Sequence, residues 1–184
     1  MKNLYTIISV ILLAAILVPN TSAQNQESLS GFREAEWDMS REEVSSAIKA
    51  ELSRVKGSRQ PYKMSLFRPF RIESDEIGSF TYNVDFYFAV DDTTLGMVEV
   101  QPTDDSPSIV HFRELSELLT KKYGEPDTQE DQDNPGGGKA KVKRWILGST
   151  FIEIDYTKYA PNLGGGVSIK LRYEKKESEG TEKL

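Results

Sequence analysis

Between residues 80 and 90 the chain alternates without a break. Phe80, Tyr82, Val84, Phe86, Phe88 and Val90 are separated by Thr81, Asn83, Asp85, Tyr87 and Ala89. A period of two predicts a strand with one face in the core. Asp91-Asp92-Thr93-Thr94 turns the chain, and residues 95–101 return as a second strand. Further on, residues 141–147 and 150–156 read as strands joined by Gly148-Ser149, a pair that suits a type II′ hairpin turn. That turn sets a register, with Trp145 opposite Ile152 and Arg144 opposite Glu153. Residues 167–173 alternate again through Ile169 and Leu171.

Two stretches follow the helical period instead. Val44, Ala47, Ile48, Leu52 and Val55 form one apolar stripe, with Lys56 in its last turn and Gly57 as C-cap, or with an earlier end by Glu51, which intrudes on the stripe. Ser40 is placed as its N-cap, with Glu43 to complete a capping box and Met39 and Val44 to form a hydrophobic staple. Ile109, Phe112, Leu115, Leu119 and Tyr123 form the second stripe. Ser106 is expected to cap it, with Pro107 at the first helical position. Lys121, Lys122, Gly124 and Pro126 mark its end. Residues 127–139 are polar, acidic and Gly-rich, which predicts a mobile loop.

The expected fold is therefore α+β. Two amphipathic helices pack on an antiparallel sheet of five to six strands, in the order α-β-β-(β)-α-β-β-β. One domain spans residues 32–173, with a flexible lead-in at 24–31 and a charged, disordered tail at 174–184. The two halves share a helix-then-strands order, without a residue-level repeat that identifies a duplication. Trp37-Asp38-Met39-Ser40, followed by Glu43-Val44, resembles the Trp-Gly-Met-Ser-x-x-Glu-Val opening of many small exported bacterial proteins, with Asp38 where glycine is usual. Leu119-Thr120-Lys121-Lys122-Tyr123-Gly124-Glu125-Pro126 is similar to their Leu-x-x-Lys-Tyr-Gly-x-Pro helix ending. The resemblance implies helices on an antiparallel sheet, as in the β-lactamase-inhibitor-protein-like folds. Such proteins are mostly of unknown function, so it bears on fold more than on activity.

The first residues change the picture of where the protein works. Lys2, an uncharged and mostly apolar run at 4–18, Pro19 and Thr21-Ser22-Ala23 have the form of a signal peptide cut before Gln24. The run is shorter than the ~20 residues of a spanning helix. A periplasmic or secreted protein with no transmembrane segment after cleavage is expected. Cysteine is absent, which excludes both disulfides and a lipid-modified cysteine. The formal charge is −6, and loss of Lys2 takes it to −7, so nucleic acid is not an expected partner.

Candidate chemistry is sparse. His111 is the single histidine, on the flank of the second helix, where a structural role is the simpler reading. Asp131-Gln132-Asp133-Asn134-Pro135-Gly136 begins like a calcium loop, but Lys139 and Val142 occupy its ninth and twelfth positions. Neither triple glycine, 136–138 or 164–166, has the context of a phosphate loop. No metal or other cofactor is expected. Glu153 and Asp155 share a strand face, a spacing compatible with a carboxylate hydrolase, although Arg144 across the hairpin gives Glu153 an ion-pair role. Residues 54–72 carry six basic residues and no acid, interleaved with Tyr62, Phe67 and Phe70, while Pro61 and Pro69 restrict them to extended or edge-strand conformations. This concentration of positive charge in an acidic chain points to a binding or adaptor module. Arg59, Tyr62, Lys63, Phe67, Arg68 and Arg71 would meet a protein or an anionic envelope ligand. A small carboxylate-dependent hydrolase and a structural envelope component are the alternatives.

Overall fold

The computed structural model describes residues 29–60, 63–90, 93–134 and 137–176, with side chains described except at 56–60, 63–65 and 134. The expected signal peptide lies outside the described residues.

The chain enters through a short antiparallel ribbon, β1 (Gly31–Phe32) and β2 (Ala35–Glu36), so Gly31 belongs to an element and not to a lead-in. Asp38 then takes a left-handed conformation, φ 69°. The glycine usual at this place in the resembling motif would adopt it freely; aspartate tolerates it better than most residues. The Asp38 carboxylate accepts hydrogen bonds of 2.7 and 2.8 Å from Lys175 Nζ, tying the entry of the domain to its last strand.

Helix α1 (Arg41–Ala47) starts as its sequence predicts. The Ser40 N–H donates to Glu43 Oε2 at 2.8 Å, and the Glu43 N–H donates to Ser40 Oγ at 3.3 Å. The first of these bonds is the main cause that holds the Glu43 carboxyl below its ordinary value. The helix is shorter than the stripe to Val55 predicts, because Ile48 is already extended at ψ 118°. Continuing it would carry Glu51 onto the buried side. Instead Glu51 stays exposed, and Ser53–Gln60 becomes strand β3.

The chain continues with β4 (Lys63–Ile77), β5 (Phe80–Ala89), β6 (Leu95–Pro102), α2 (Ile109–Tyr123), β7 (Thr128–Asn134), β8 (Gly138–Leu147), β9 (Thr150–Lys158), a 3-10 turn at Pro161–Leu163, and β10 (Val167–Lys175). Strand β10 thus includes Glu174, which the sequence assigns to a tail. Helix α2 is capped by Ser108, two residues later than predicted. Its box partner is His111, whose Nδ1 accepts the Ser108 N–H at 3.2 Å.

The main sheet has eight strands in the order β3-β4-β5-β6-β10-β9-β8-β7, every neighbouring pair antiparallel. This corrects the expected five to six. Residues 54–72 divide between β3 and β4, and the expected loop at 127–139 contains β7. Strand β7 has no apolar alternation to read. It is held to β8 by Asp131–Lys141 and Glu130–Arg144 ion pairs, with Asp133 and Lys139 at 4.0 Å.

The two halves, α1-β3-β4-β5-β6 and α2-β7-β8-β9-β10, have the same order and meet through their last strands. Ile77-Gly78-Ser79-Phe80 and Leu147-Gly148-Ser149-Thr150 are matching hairpin turns, with φ 65° at Gly78 and 60° at Gly148. Beyond the turns Tyr82 matches Ile152, Val84 matches Ile154, and Asp85 matches Asp155. At the seam Val100 of β6 faces Leu171 of β10. The sheet therefore has a topological two-fold axis between these two buried residues.

The core lies on the helix side. Tyr82, Val84, Phe86 and Phe88 lie in it with Val44, Ile48, Phe112, Leu115 and Leu119, as the period of two predicts. The hairpin register is also as read from the turn, with Trp145 opposite Ile152. The Trp145 Nε1–H donates to the Gly124 carbonyl at 2.9 Å, anchoring the end of α2.

Candidate functional site

The opposite side of the sheet carries no helix among the described residues. Its side chains come from the alternate positions of each strand, and cross-strand pairing lines six of them up. Arg71, Asp85, Glu99, Arg172, Glu153 and Arg144 are successive register partners across β4, β5, β6, β10, β9 and β8. Five strand spacings make this charged row about 24 Å long.

At one end Asp85 is 1% exposed and is gripped by two arginines. Arg71 donates to it through Nε and Nη2 at 2.7 and 2.8 Å, and Arg68 through Nη1 at 2.7 Å. Positions 68 and 71 would lie on opposite faces of a regular strand. A register shift between Phe67 and Phe70 inserts the extra residue that brings both arginines to one side. Pro69 lies within this shift, where no ladder N–H is required. The hydrogen bond to Asp85 raises the Arg71 pKa, so the guanidinium is held charged. Glu99, 2% exposed, stands opposite Asp85 and accepts from the Gln101 amide. Burial, with these two carboxylates next, pushes the Tyr87 phenol well up.

At the other end Glu153 is also gripped by two arginines, Arg144 through Nε at 2.6 Å and Arg172 through Nη2 at 2.5 Å. Arg172 Nη2 reaches Asp155 as well, at 3.1 Å. A cleft of about 340 Å³ opens here, lined by Met97, Glu99, Glu153, Asp155, Lys170 and Arg172 among others. Burial lifts the Asp155 carboxyl above its ordinary value, against the pull of Arg172 and Lys170. The buried Nε atoms of Arg68 and Arg172 have no hydrogen-bond partner among the described residues.

A second row runs beside the charged one. Tyr87, Met97, Glu174, Phe151 and Ile146 are register partners across β5, β6, β10, β9 and β8. Tyr87 and Met97 form a small apolar cluster with Leu66, while Ile146 is 46% exposed. The uncovered face thus sets a row that is apolar except at Glu174 beside a row of paired charges.

The residues chosen from the sequence are divided by this arrangement. Arg68 and Arg71 lie on the uncovered face. Phe67 turns to the helix side, its ring 6.3 Å from that of Phe88 and under the Arg41 guanidinium at 5.3 Å. Arg59 pairs with Phe67, and Lys63 with Gln60, at the β3–β4 edge; their side chains, and Tyr62 altogether, lie outside the described residues. Sequence reasoning missed Asp85, Glu99 and Arg172. For Asp85 and Glu99 the signal was a lone charge in an otherwise uncharged strand, whereas Arg172 is one of several charges alternating along β10.

His111 is 4% exposed, stacked on Phe80 at 4.0 Å, with Nε2 3.4 Å from Asp104 Oδ2. Its geometry is that of a helix cap. Asp131 and Asp133 lie on β7 against lysines, and no group of three or more potential metal ligands exists among the described residues. No helix among them is long and apolar enough to cross a membrane. Compared with protein-family models, curated proteins and solved structures, the chain gives no match.

Proposed function

We propose that the protein is an exported, non-enzymatic binding module that engages a protein partner through the uncovered face of its sheet. The observation that carries this reading is the pair of adjacent rows. Ile146, which is exposed, and Phe151, which is half-buried, offer apolar surface over the buried Tyr87 and Met97, and arginines paired to carboxylates offer fixed hydrogen-bond donors beside it. Aromatic residues and arginine are among those that interfaces favour. Arg68 and Arg71 remain part of the surface first read from the sequence, anchored now by Asp85. Ile146→Asp tests the reading, because Ile146 is exposed and its loss leaves the core intact. A partner captured from the native envelope by the wild-type domain should be lost by this variant at an unchanged melting temperature. Capture should also weaken with salt, as exposed charges are screened over about 8–10 Å. A variant that keeps every partner would move the site elsewhere.

One observation favours the hydrolase alternative, the raised carboxyl of Asp155 within a cleft. Against it, Arg172 bridges Glu153 and Asp155, so neither carboxylate is free to attack or to exchange protons without breaking an ion pair.

A further inference from the structure

On the helix side the sheet is wider than its cover. Seven strand spacings span roughly 34 Å, while two helices of ~10 Å diameter cover about 20 Å. Helix α1 has only seven residues. The uncovered remainder is a groove of about 640 Å³ between α2 and the β1–β2 ribbon. Its accessible apolar lining is Leu29, Ile77, Leu118 and Tyr123, over a buried floor that includes Val100 and Leu171, the facing pair at the seam. This volume lies in the range of roughly 300–1,000 Å³ typical of small-molecule sites.

Two features define what fits. Apart from the charges of its rim, the side chains lining the groove carry only two polar groups, the Tyr123 and Tyr173 hydroxyls. A peptide backbone buried here would leave its N–H and C=O groups unpaired, which is costly. A hydrocarbon chain makes no such demand. The rim, by contrast, is positive: Arg33, Lys121 and Lys122 against Glu76. Arg33 is engaged by Asp75, and Lys122 Nζ lies 5.0 Å from the centre of the Tyr123 ring. Lys121 has no hydrogen bond or ion pair among the described residues. Apolar walls under a cationic rim complement a molecule with an apolar body and one anionic end.

We infer that this groove binds a long-chain fatty acid, its acyl chain against Leu29, Ile77 and Leu118 and its carboxylate at Lys121 and Lys122. Binding is independent of the uncovered face of the sheet, on the other side of the molecule.

The test is calorimetric titration of the mature chain with hexadecanoate and with hexadecanol as the neutral control. Hexadecanoate should bind saturably, one per chain, and about tenfold more tightly than the alcohol, since a charged acceptor strengthens a hydrogen bond. Lys121→Gln/Lys122→Gln should abolish that tenfold preference and leave hexadecanol unchanged. Leu118→Asp, at a position 38% exposed, should weaken both ligands without unfolding the domain. Ile146→Asp should alter neither, which separates this inference from the partner-binding reading. Absence of saturable binding overturns it. So does hexadecanoate affinity that is the same in wild type and in both groove variants, which would mean adsorption elsewhere or a groove filled by the chain's own N-terminal residues.

Discussion

A carboxylate with 1% of its surface in water survives only with its charge and lone pairs answered, and at Asp85 two guanidinium groups answer them. Arg71→Gln removes the bidentate partner and leaves Arg68 alone. We expect a loss of about 3 kcal/mol in urea unfolding, at the lower end for breaking a buried pair because one arginine stays. A loss below about 1 kcal/mol would mean that Arg68 alone is enough to hold the buried Asp85 carboxylate. Asp155, its counterpart in the second half, predicts a pH dependence. Its folded-state pKa is raised, so the native chain holds this proton more tightly than the unfolded chain does. That contribution favours folding below the ordinary carboxylate value and fades as pH rises through the folded pKa. The urea midpoint of Asp155→Asn, relative to wild type, should therefore move in the variant's favour between about pH 4 and pH 7. A difference that does not change with pH contradicts this. The Arg144–Glu153 pair was legible beforehand because a two-residue turn leaves one register. The Asp85 cluster was not, because the register shift at Pro69 exchanges the faces of β4 and nothing in the local pattern announces it.

Among elements, those with one apolar face could be read and those with none could not. β5, α2 and the β8–β9 hairpin follow their periods. β7 is polar on both sides and owes its strand state to the backbone ladder it makes with β8, with ion pairs beside it, a tertiary cause that local sequence does not contain. Helix α1 shows the reverse error, in which apolar spacing past Ile48 was helical but the sheet claimed those residues. The β4–β5 turn gives a sharp test. Gly78 has φ 65°, and a Cβ there would come within 2.1 Å of Glu114 Oε1, the acceptor for the Ser79 N–H at 2.5 Å. Gly78→Ala should cost about 2–3 kcal/mol, combining left-handed strain with the lost bond. An unchanged urea midpoint would show that the turn relaxes freely and that Glu114 does not hold α2 to it.

At the level of the molecule, the α+β character, the antiparallel pairing, the core and the shared helix-then-strands order of the halves were legible, while the eight-strand width of the sheet and the meeting of the halves through their last strands were not. The match between halves rests on Gly-Ser turns and alternate positions, too few identities to register as a repeat. Joining the halves through β6 and β10 has a consequence in time. Ribosomes emit the chain from its N-terminus at about 5–20 residues per second. β6 is finished about 70 residues before β10, so for several seconds its inner edge has no neighbour. An unpaired edge is a template for another chain, and the topological axis makes this one self-complementary, since a second β6 can lie where β10 will. A fragment of residues 24–106 should therefore elute as a dimer in size-exclusion chromatography, and a stable monomer would show that β6 tolerates solvent. The strand that completes the fold is in this sense also its chaperone, and nascent chains held side by side before it arrives are at risk of closing on one another.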